Sequence, residues 1–565
     1  MSISKASHRP MEFTRAIDPL RSRIALLLCS LAAACEPESR PPDPGVLVIT
    51  ESEQTASYVR NFNPLLGAGR WASNHAIYEP LLIYNVAQSR YEPWLATKYA
   101  WSEDGLELSF TTRGGVKWSD GKAFSAKDAA FTFDLLHRFP ALDINGVWKF
   151  LERVDTPGEN QLRFHFKQPF VPGLYYLATQ PIVSEHKWRD VEDPVTFSDP
   201  DPVGTGPFTE IESFQSQVYQ VGKNPNYWQP GKPKLAALRF PAFPANDQTN
   251  LALIHGDLDW AGTFVPAIER TFVSRDPENH RYWFPLMQGS VLLYPNHTRA
   301  PLDDVRVRKA LSQAIDRKKL VQVALFDYSR PADATGLSDA YATYRDPQAV
   351  AAGDWVNHDP ERAGGLLDSA GIKLADDGLR HLPSGATFEL EVNVVAGWSD
   401  WVRAAQVICR NLEQIGVKAT LRSYDFGAWF QKLQRGDFWL SLGWTEEGPT
   451  PYSLYRGLMA TETKQPLEEE AATNWHRFAS PKADAWLAEL ERTTDPKRER
   501  ALYASLQRLF VAEAPALPLF PDVSWGEYNL KRFKGFPSEA DPYALLTPNK
   551  APDSLLVLTR LEAKL

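Results

Sequence analysis

Cysteine is nearly absent. The chain has three, Cys29, Cys35 and Cys409, and the first two fall in an N-terminal leader. The body therefore holds a single thiol and can form no internal disulfide, although an exported protein would be allowed one. Basic charge is not in excess either. Lys and Arg number 61 against 70 Asp and Glu, a formal net charge of −9, which excludes bulk neutralisation of phosphates and so a nucleic-acid partner. Long apolar runs are missing: the one N-terminal run, Ile24 to Ala34, has 11 residues and is too short to span a bilayer. The motifs of chemistry are missing too. There is no Gly-x-Ser-x-Gly elbow, no Gly-x-x-x-x-Gly-Lys phosphate loop and no pair of histidines three or four apart. We therefore expect no catalytic residue, no resident metal and no cofactor. His75, His297 and His476 lie near candidate cleft segments and read as structural.

What is present points to export. Lys5, Arg9, Arg15, Arg21 and Arg23 precede the apolar run, the pattern of a signal peptide. The run ends "LAAAC" at Cys35, which resembles a bacterial lipoprotein box, with the leucine one place earlier than usual. Residues 1–35 are thus expected to be the leader, with Cys35 lipidated; ordinary cleavage after Ala-x-Ala is the alternative. Residues 36–45, rich in proline and polar, read as a tether. The protein is expected in the periplasm, held at the membrane only by lipid, or free.

The 565 residues exceed what one core supports, so two or three lobes are expected. Composition is otherwise that of a globular protein: 43% hydrophobic and 23% charged. Tryptophan is the exception. There are 18, and eight of them lie between Trp398 and Trp525, a clustering beyond the needs of a core. The body reads as mixed α/β. "LELSFTTR" and "LRFHFKQ" alternate as half-buried strands. Val307, Leu311, Ala314, Ile315 and Leu320 follow helical spacing after Asp303 or Asp304 as N-cap. A further helix is expected from Asp359, as cap, to Gly371. From Phe388 to Trp444 the pattern is β-α-β-α-β, implying parallel strands with right-handed crossovers, and Ser399 is the expected N-cap of its first helix.

Ligands of such sheets bind beyond the carboxyl ends of the strands. "GWSDW" (Gly397 to Trp401) and "GWTEEGPTPYSLY" (Gly443 to Tyr455) occupy two such ends and are expected to face one crevice. Each residue also has a bland reading: Trp398 as a staple onto its own helix, Trp401 as core, Asp400 as a helix N-terminal charge, Glu446 and Glu447 as solvated loop charges.

Seven stretches in order resemble the bacterial extracellular solute-binding proteins of family 5. They include "IYEPLLIYN", "GVKWSDGKAFSAKDAAFTF", "DPVGTGPF", "NPNYWQPGKPKL" and "PLDDVRVRKALSQAIDRKKL". The resemblance implies an α/β two-lobed periplasmic-binding-protein fold, type II and cluster C-like. Lobe I would comprise 46–80, 203–295 and 526–565, with an inserted subdomain at 81–202; lobe II would be 296–525. It also implies a monomeric receptor that delivers a small solute to the permease and ATPase subunits of an ABC importer. "GWSDWVRAAQVI", "DFGAWFQKLQRGDF", "GPTPYSLYRGLM", "NWHRF" and "PLFPDVSWGEYN" resemble the cello-oligosaccharide-binding branch. Sugar faces stack on aromatic rings and hydroxyls need polar partners, so the expected solute is a β-linked oligosaccharide. The alternative is a peptide, because relatives that bind peptides place an acid after a Gly-Trp pair to hold an amino group. A glycoside-acting enzyme is the remote alternative. The expected ligand-binding residues are Trp398, Asp400, Trp401, Trp444, Glu447 and Tyr452, then Trp525, Tyr528, Asn61 and Asn63.

Overall fold

Three sheets carry the architecture of the computed structural model, which describes residues 44–50, 55–66, 71–549 and 552–564. The expected leader, Cys35 and the expected tether up to Asp43 lie outside the described residues. Strand β1 (Val46–Val48) is fully buried and opens the first sheet. The chain then builds a separate antiparallel sheet from β2 (Ala96–Trp101), β3 (Glu107–Thr112), β4 (Leu151–Gly158) and β5 (Gln161–Phe166), in the order β2-β3-β5-β4. β3 shows the expected alternation: Leu108, Phe110 and Thr112 are buried and their neighbours are not. Helix α1 (Ala126–Arg138) packs on this sheet. A capping box fixes its start, with the Ser125 hydroxyl and the Asp128 carboxylate each taking a backbone N–H.

The chain then returns to the first sheet with β6 (Phe208–Gln215), β7 (Val218–Lys223) and β8 (Ala237–Pro241), giving the order β1-β8-β7-β6 with β1 and β8 parallel. Helix α2 (Asn246–His255) follows. The third sheet begins at β9 (Leu286–Pro295). Helices α3 (Val305–Ala314) and α4 (Pro360–Ser369) follow it, capped by Asp304 and Asp359, whose carboxylates accept from Arg306 N at 2.8 Å and Arg362 N at 2.9 Å. Val307, Leu311, Ala314, Ile315 and Leu320 are all buried, as their spacing predicts.

The unit expected between Phe388 and Trp444 is present: β10 (Glu389–Val395), α5 (Ser399–Gln414), β11 (Lys418–Tyr424), α6 (Phe426–Arg435) and β12 (Leu440–Trp444), with both strand pairings parallel. The sheet as a whole is mixed, because β9 runs antiparallel to β12 and to β13 (Leu517–Val523); its order is β11-β10-β12-β9-β13. One boundary differs from expectation. Ser399 is the first helical residue of α5, and Trp398 stands at the N-cap with no side-chain cap bond. The Ser399 hydroxyl instead accepts from the Asn246 amide at 3.4 Å. Helix α7 (Tyr452–Met459) lies after β12. The single body thiol, Cys409, is buried on α5, and that burial pushes it up to about 12, so it stays an inert thiol.

After β13 the chain goes back toward the first sheet. β14 (Glu527–Asn529) pairs with Trp260–Ala261 and His280–Tyr282. Arg532 and the Val48 N–H share the Asp259 carboxylate, at 3.2 and 2.9 Å. The Asn85 amide donates to Tyr543 O at 2.8 Å. Crossings between the first and third sheets therefore occur at the start of β9 and the end of β13, where Ser524 N donates to Pro285 O at 2.8 Å.

Candidate functional site

The carboxyl ends of β10 and β12 are adjacent, so the two aromatic loops that follow them meet. Trp398 stands perpendicular to Trp401 with ring centroids 4.8 Å apart, and 6.3 Å from Trp444. Trp401 lies 6.4 Å from Trp444. Two more tryptophans join the cluster, beside Phe426 and Phe430. Trp429 of α6 sits 5.4 Å from Trp444 and donates its indole N–H to the Ser441 hydroxyl at 3.1 Å; Trp475 meets Trp444 edge-on at 5.6 Å. The members differ in exposure. Trp401, Trp429 and Trp475 are buried, whereas Trp398 and Trp444 are half-buried and form the rim. Trp401 is thus a core residue of the third sheet. Trp398 packs on its own helix and keeps part of its ring outside. Trp429 and Trp475 were not among the expected site residues, although each sits in a stretch dense in aromatics, "FGAWF" and "NWHRF".

Asp400 points away from this cluster. It is buried, and it faces α2: the Asn246 amide reaches Asp400 Oδ1 at 3.4 Å, and Asn246 N donates to Gly397 O at 3.1 Å. Behind Asn246, the Thr263 hydroxyl donates to its side-chain oxygen at 2.7 Å, and Thr263 N donates to Glu527 Oε2 at 3.3 Å. A polar line thus runs from the start of α5 to β14. Burial disfavours the charged form of both acids at its ends. Asp400 is raised to about 6 against the opposing pull of Arg403, and Glu527 is raised well above the carboxylate range.

The second loop carries the acids into a nest of tyrosines. Glu447 Oε1 accepts from Gly289 N at 3.1 Å, and a Cβ on Gly289 would come within 2.9 Å of that oxygen, so a side chain there would shift the carboxylate end. Tyr341 exchanges hydrogen bonds with Gly448, donating to its carbonyl at 2.7 Å and accepting from its N–H at 3.2 Å. Burial and then the Glu447 charge push the hydroxyls of Tyr175 and Tyr341 up; burial and then Glu446 do the same to Tyr294. Tyr175 comes from the 81–202 stretch and Tyr341 from the third-sheet body, so the acids lie where the two meet. The Tyr176 hydroxyl and Ser453 Oγ of α7 are 2.8 Å apart across the same boundary.

The remaining expected residues scatter. Tyr452 is buried, donates to Glu491 Oε1 at 2.7 Å and meets Phe170 edge-on at 6.0 Å. Asn61 is half-buried and its side-chain oxygen accepts from Asn63 N at 3.1 Å. Asn63 is fully buried: its amide donates to Pro194 O and Phe197 O at 3.0 and 2.8 Å, and its oxygen accepts from Leu65 N at 2.9 Å. This is loop-fastening geometry, with no amide hydrogen left for a solute. Trp525 packs at the crossing among Phe264, Phe284 and Tyr328, with ring centroids 5.0 to 6.0 Å away. Tyr528 is buried on β14 and stacks on Phe536 at 4.6 Å. His297 and His476 each hold a backbone carbonyl, of Pro515 and Leu458. Among the described residues no group of three His, Cys, Asp or Glu is placed to hold a metal ion.

Residues 90–465 match the model for "Bacterial extracellular solute-binding proteins, family 5 Middle". The chain belongs to this family. It is 26% identical to the nickel-binding periplasmic protein of Escherichia coli K12, over 78% of this chain and 83% of that one. It is 28% identical to the glutathione-binding protein GsiB of Salmonella typhimurium, over 75% and 79%. Its fold superposes on the periplasmic oligopeptide-binding protein of Thermotoga maritima solved with mannohexaose, at a TM-score of 0.83 and 25% identity, covering 92% of this chain and 99% of that one. The Bacillus subtilis protein AppA, solved with a nonapeptide, shares the fold at a TM-score of 0.76 and 19% identity. The family 5 member described here is therefore an α/β protein of the two-lobed periplasmic-binding type and a substrate-binding protein of an ABC importer, not an enzyme. No helix among its described residues is long and apolar enough to cross a membrane.

Proposed function

We propose that this receptor captures a short peptide or peptide-like solute, with its amino group at Glu446 and Glu447. The observation that carries the reading is the closeness of these two carboxylates to Tyr175, Tyr294 and Tyr341, drawn from the 81–202 stretch and the third-sheet body. Negative charge held in a partly dry, phenol-lined setting favours an ammonium group, and each contact strengthens as water leaves. The glutathione-binding and oligopeptide-binding names of the relatives support the same class. The lobe boundaries expected from the sequence, the inserted subdomain at 81–202, the monomeric state, the export leader and the anchor at Cys35 belong to this proposal. So does delivery to permease and ATPase subunits.

One observation favours a second reading, the oligosaccharide. Trp398 and Trp444 present half-buried rings at the rim, suited to stacking on a sugar face. The Thermotoga protein similar to this chain holds mannohexaose. The deciding experiment is calorimetric titration with di- to pentapeptides, glutathione, and manno- and cello-oligosaccharides. Peptide heats without sugar heats support the main reading. Sugar heats alone would transfer the assignment to the second.

A further inference from the structure

A cavity of about 150 Å³ lies between the 81–202 stretch and the third-sheet body, apart from the acids. A cavity of that size takes one six-membered ring. One wall is aromatic: Phe150 stacks on Phe170 at 4.3 Å, and Tyr452 meets Phe170 edge-on at 6.0 Å. The other wall is polar and balanced in charge. Lys149 and Arg456 supply donors, Glu462 and Glu491 acceptors, with Arg456 and Glu462 2.6 Å apart. Two contacts beside it tie the two bodies together, Val171 N to Glu491 O at 2.7 Å and Arg492 to Gln168 at 2.6 Å. The cavity is also joined to the acids. Tyr175, whose hydroxyl senses Glu447, meets Tyr176 edge-on at 5.8 Å, and Tyr176 lines the cavity.

We propose that this cavity is an outer subsite for the far end of the solute, taking one ring with a hydrogen-bonding edge. The inference rests on the proposed solute site at Glu446 and Glu447 and extends it. An aromatic face receives the flat side of a ring, and a rim holding two cations and two anions meets a neutral edge that both donates and accepts. A tyrosine side chain and a terminal pyranose share that chemistry. A purely charged end group has no flat face for the aromatic wall and would meet its like as well as its opposite.

Asn145 lines the cavity from its exposed side, so Asn145→Trp should fill the space without touching the acids. Asn145→Ser should leave it open, and Asn145→Phe repeats the block with a second ring at the same exposed position. The probes are alanine peptides of two to five residues ending in Ala or Tyr, and cellobiose against cellopentaose. For the wild type, the Tyr ending at one length, or the longer sugar, should bind about tenfold tighter than its partner probe, or about 1.4 kcal/mol. Asn145→Trp and Asn145→Phe should both erase that difference while dialanine or cellobiose binds as before; Asn145→Ser should retain it. The subsite is overturned if no length shows the difference, or if the difference survives the filled cavity. If none of the probes binds the wild type, the solute reading falls and the subsite with it. Which probe series shows the gain separates the peptide from the sugar source.

Discussion

The hydroxyls of Tyr176 and Ser453 share a hydrogen bond of 2.8 Å although one comes from the 81–202 stretch and the other from α7, on opposite sides of the proposed solute site. Neither side is held by covalent linkage at this point, so the bond forms only while the two sides are together. Replacing Tyr176 with Phe leaves the ring against Phe170 and removes only this bond. A single such bond contributes about 1 kcal/mol. Tyr176→Phe should therefore weaken solute binding about fivefold and raise the radius of gyration of the solute-free protein in X-ray scattering. An unchanged radius and affinity would mean that the bond plays no part in closure.

Trp398 and Trp401 are three residues apart yet should behave differently. Trp401 is 5% exposed and embedded among Trp429 and Trp444. Its replacement by Ala leaves a large void, which typically costs about 3–5 kcal/mol of stability. Trp398, half-buried at the rim, should lose less stability on the same change and more affinity. Thermal unfolding and titration of Trp398→Ala and Trp401→Ala separate the two roles.

Asp400 gives the molecule a pH dependence whose sign can be worked out. Burial raises it from 3.8 to about 6, while the backbone N–H groups of Asp400 and Trp401, then Arg403 and Asn246, pull the other way without cancelling the shift. A carboxyl raised on folding contributes stability that is fully present below the unfolded value and lost as pH rises through the folded one. The window is therefore pH 3.8 to about 6. The full shift corresponds to about 3 kcal/mol. Between pH 4 and neutrality, denaturant unfolding should show Asp400→Asn gaining on the wild type by up to that amount. A difference that stays flat across the window would mean that Asp400 is solvated in the folded protein.

Much of this architecture is legible in the sequence because it depends on local periodicity and capping. The alternation of Leu108, Phe110 and Thr112, the caps Asp304 and Asp359, and the parallel unit from β10 to β12 all follow from residues within a turn or two of one another. The mixed character of the third sheet does not, because β9 and β13 join it from distant segments. The site divides the same way. "GWSDW" at a strand end predicts a rim of aromatics, and Trp398 and Trp444 form one. Composition does not say which tryptophan turns inward, and Trp401 does. Nor does it reveal that Asp400 would be met by Asn246, or Glu447 neighboured by Tyr175, since no local pattern links residues that far apart. Asn63 is expected from the sequence to meet a ligand; its side chain is engaged in three hydrogen bonds to the chain.

The central claim is that an amino group is held at Glu446 and Glu447. It is tested most directly by titrating the wild-type protein with one alanine peptide, of a length that binds, and with its N-acetylated form. Acetylation removes the positive charge and leaves the rest of the peptide intact. The account predicts at least a hundredfold weaker binding, or about 2.7 kcal/mol. Equal affinity for the two forms would contradict it.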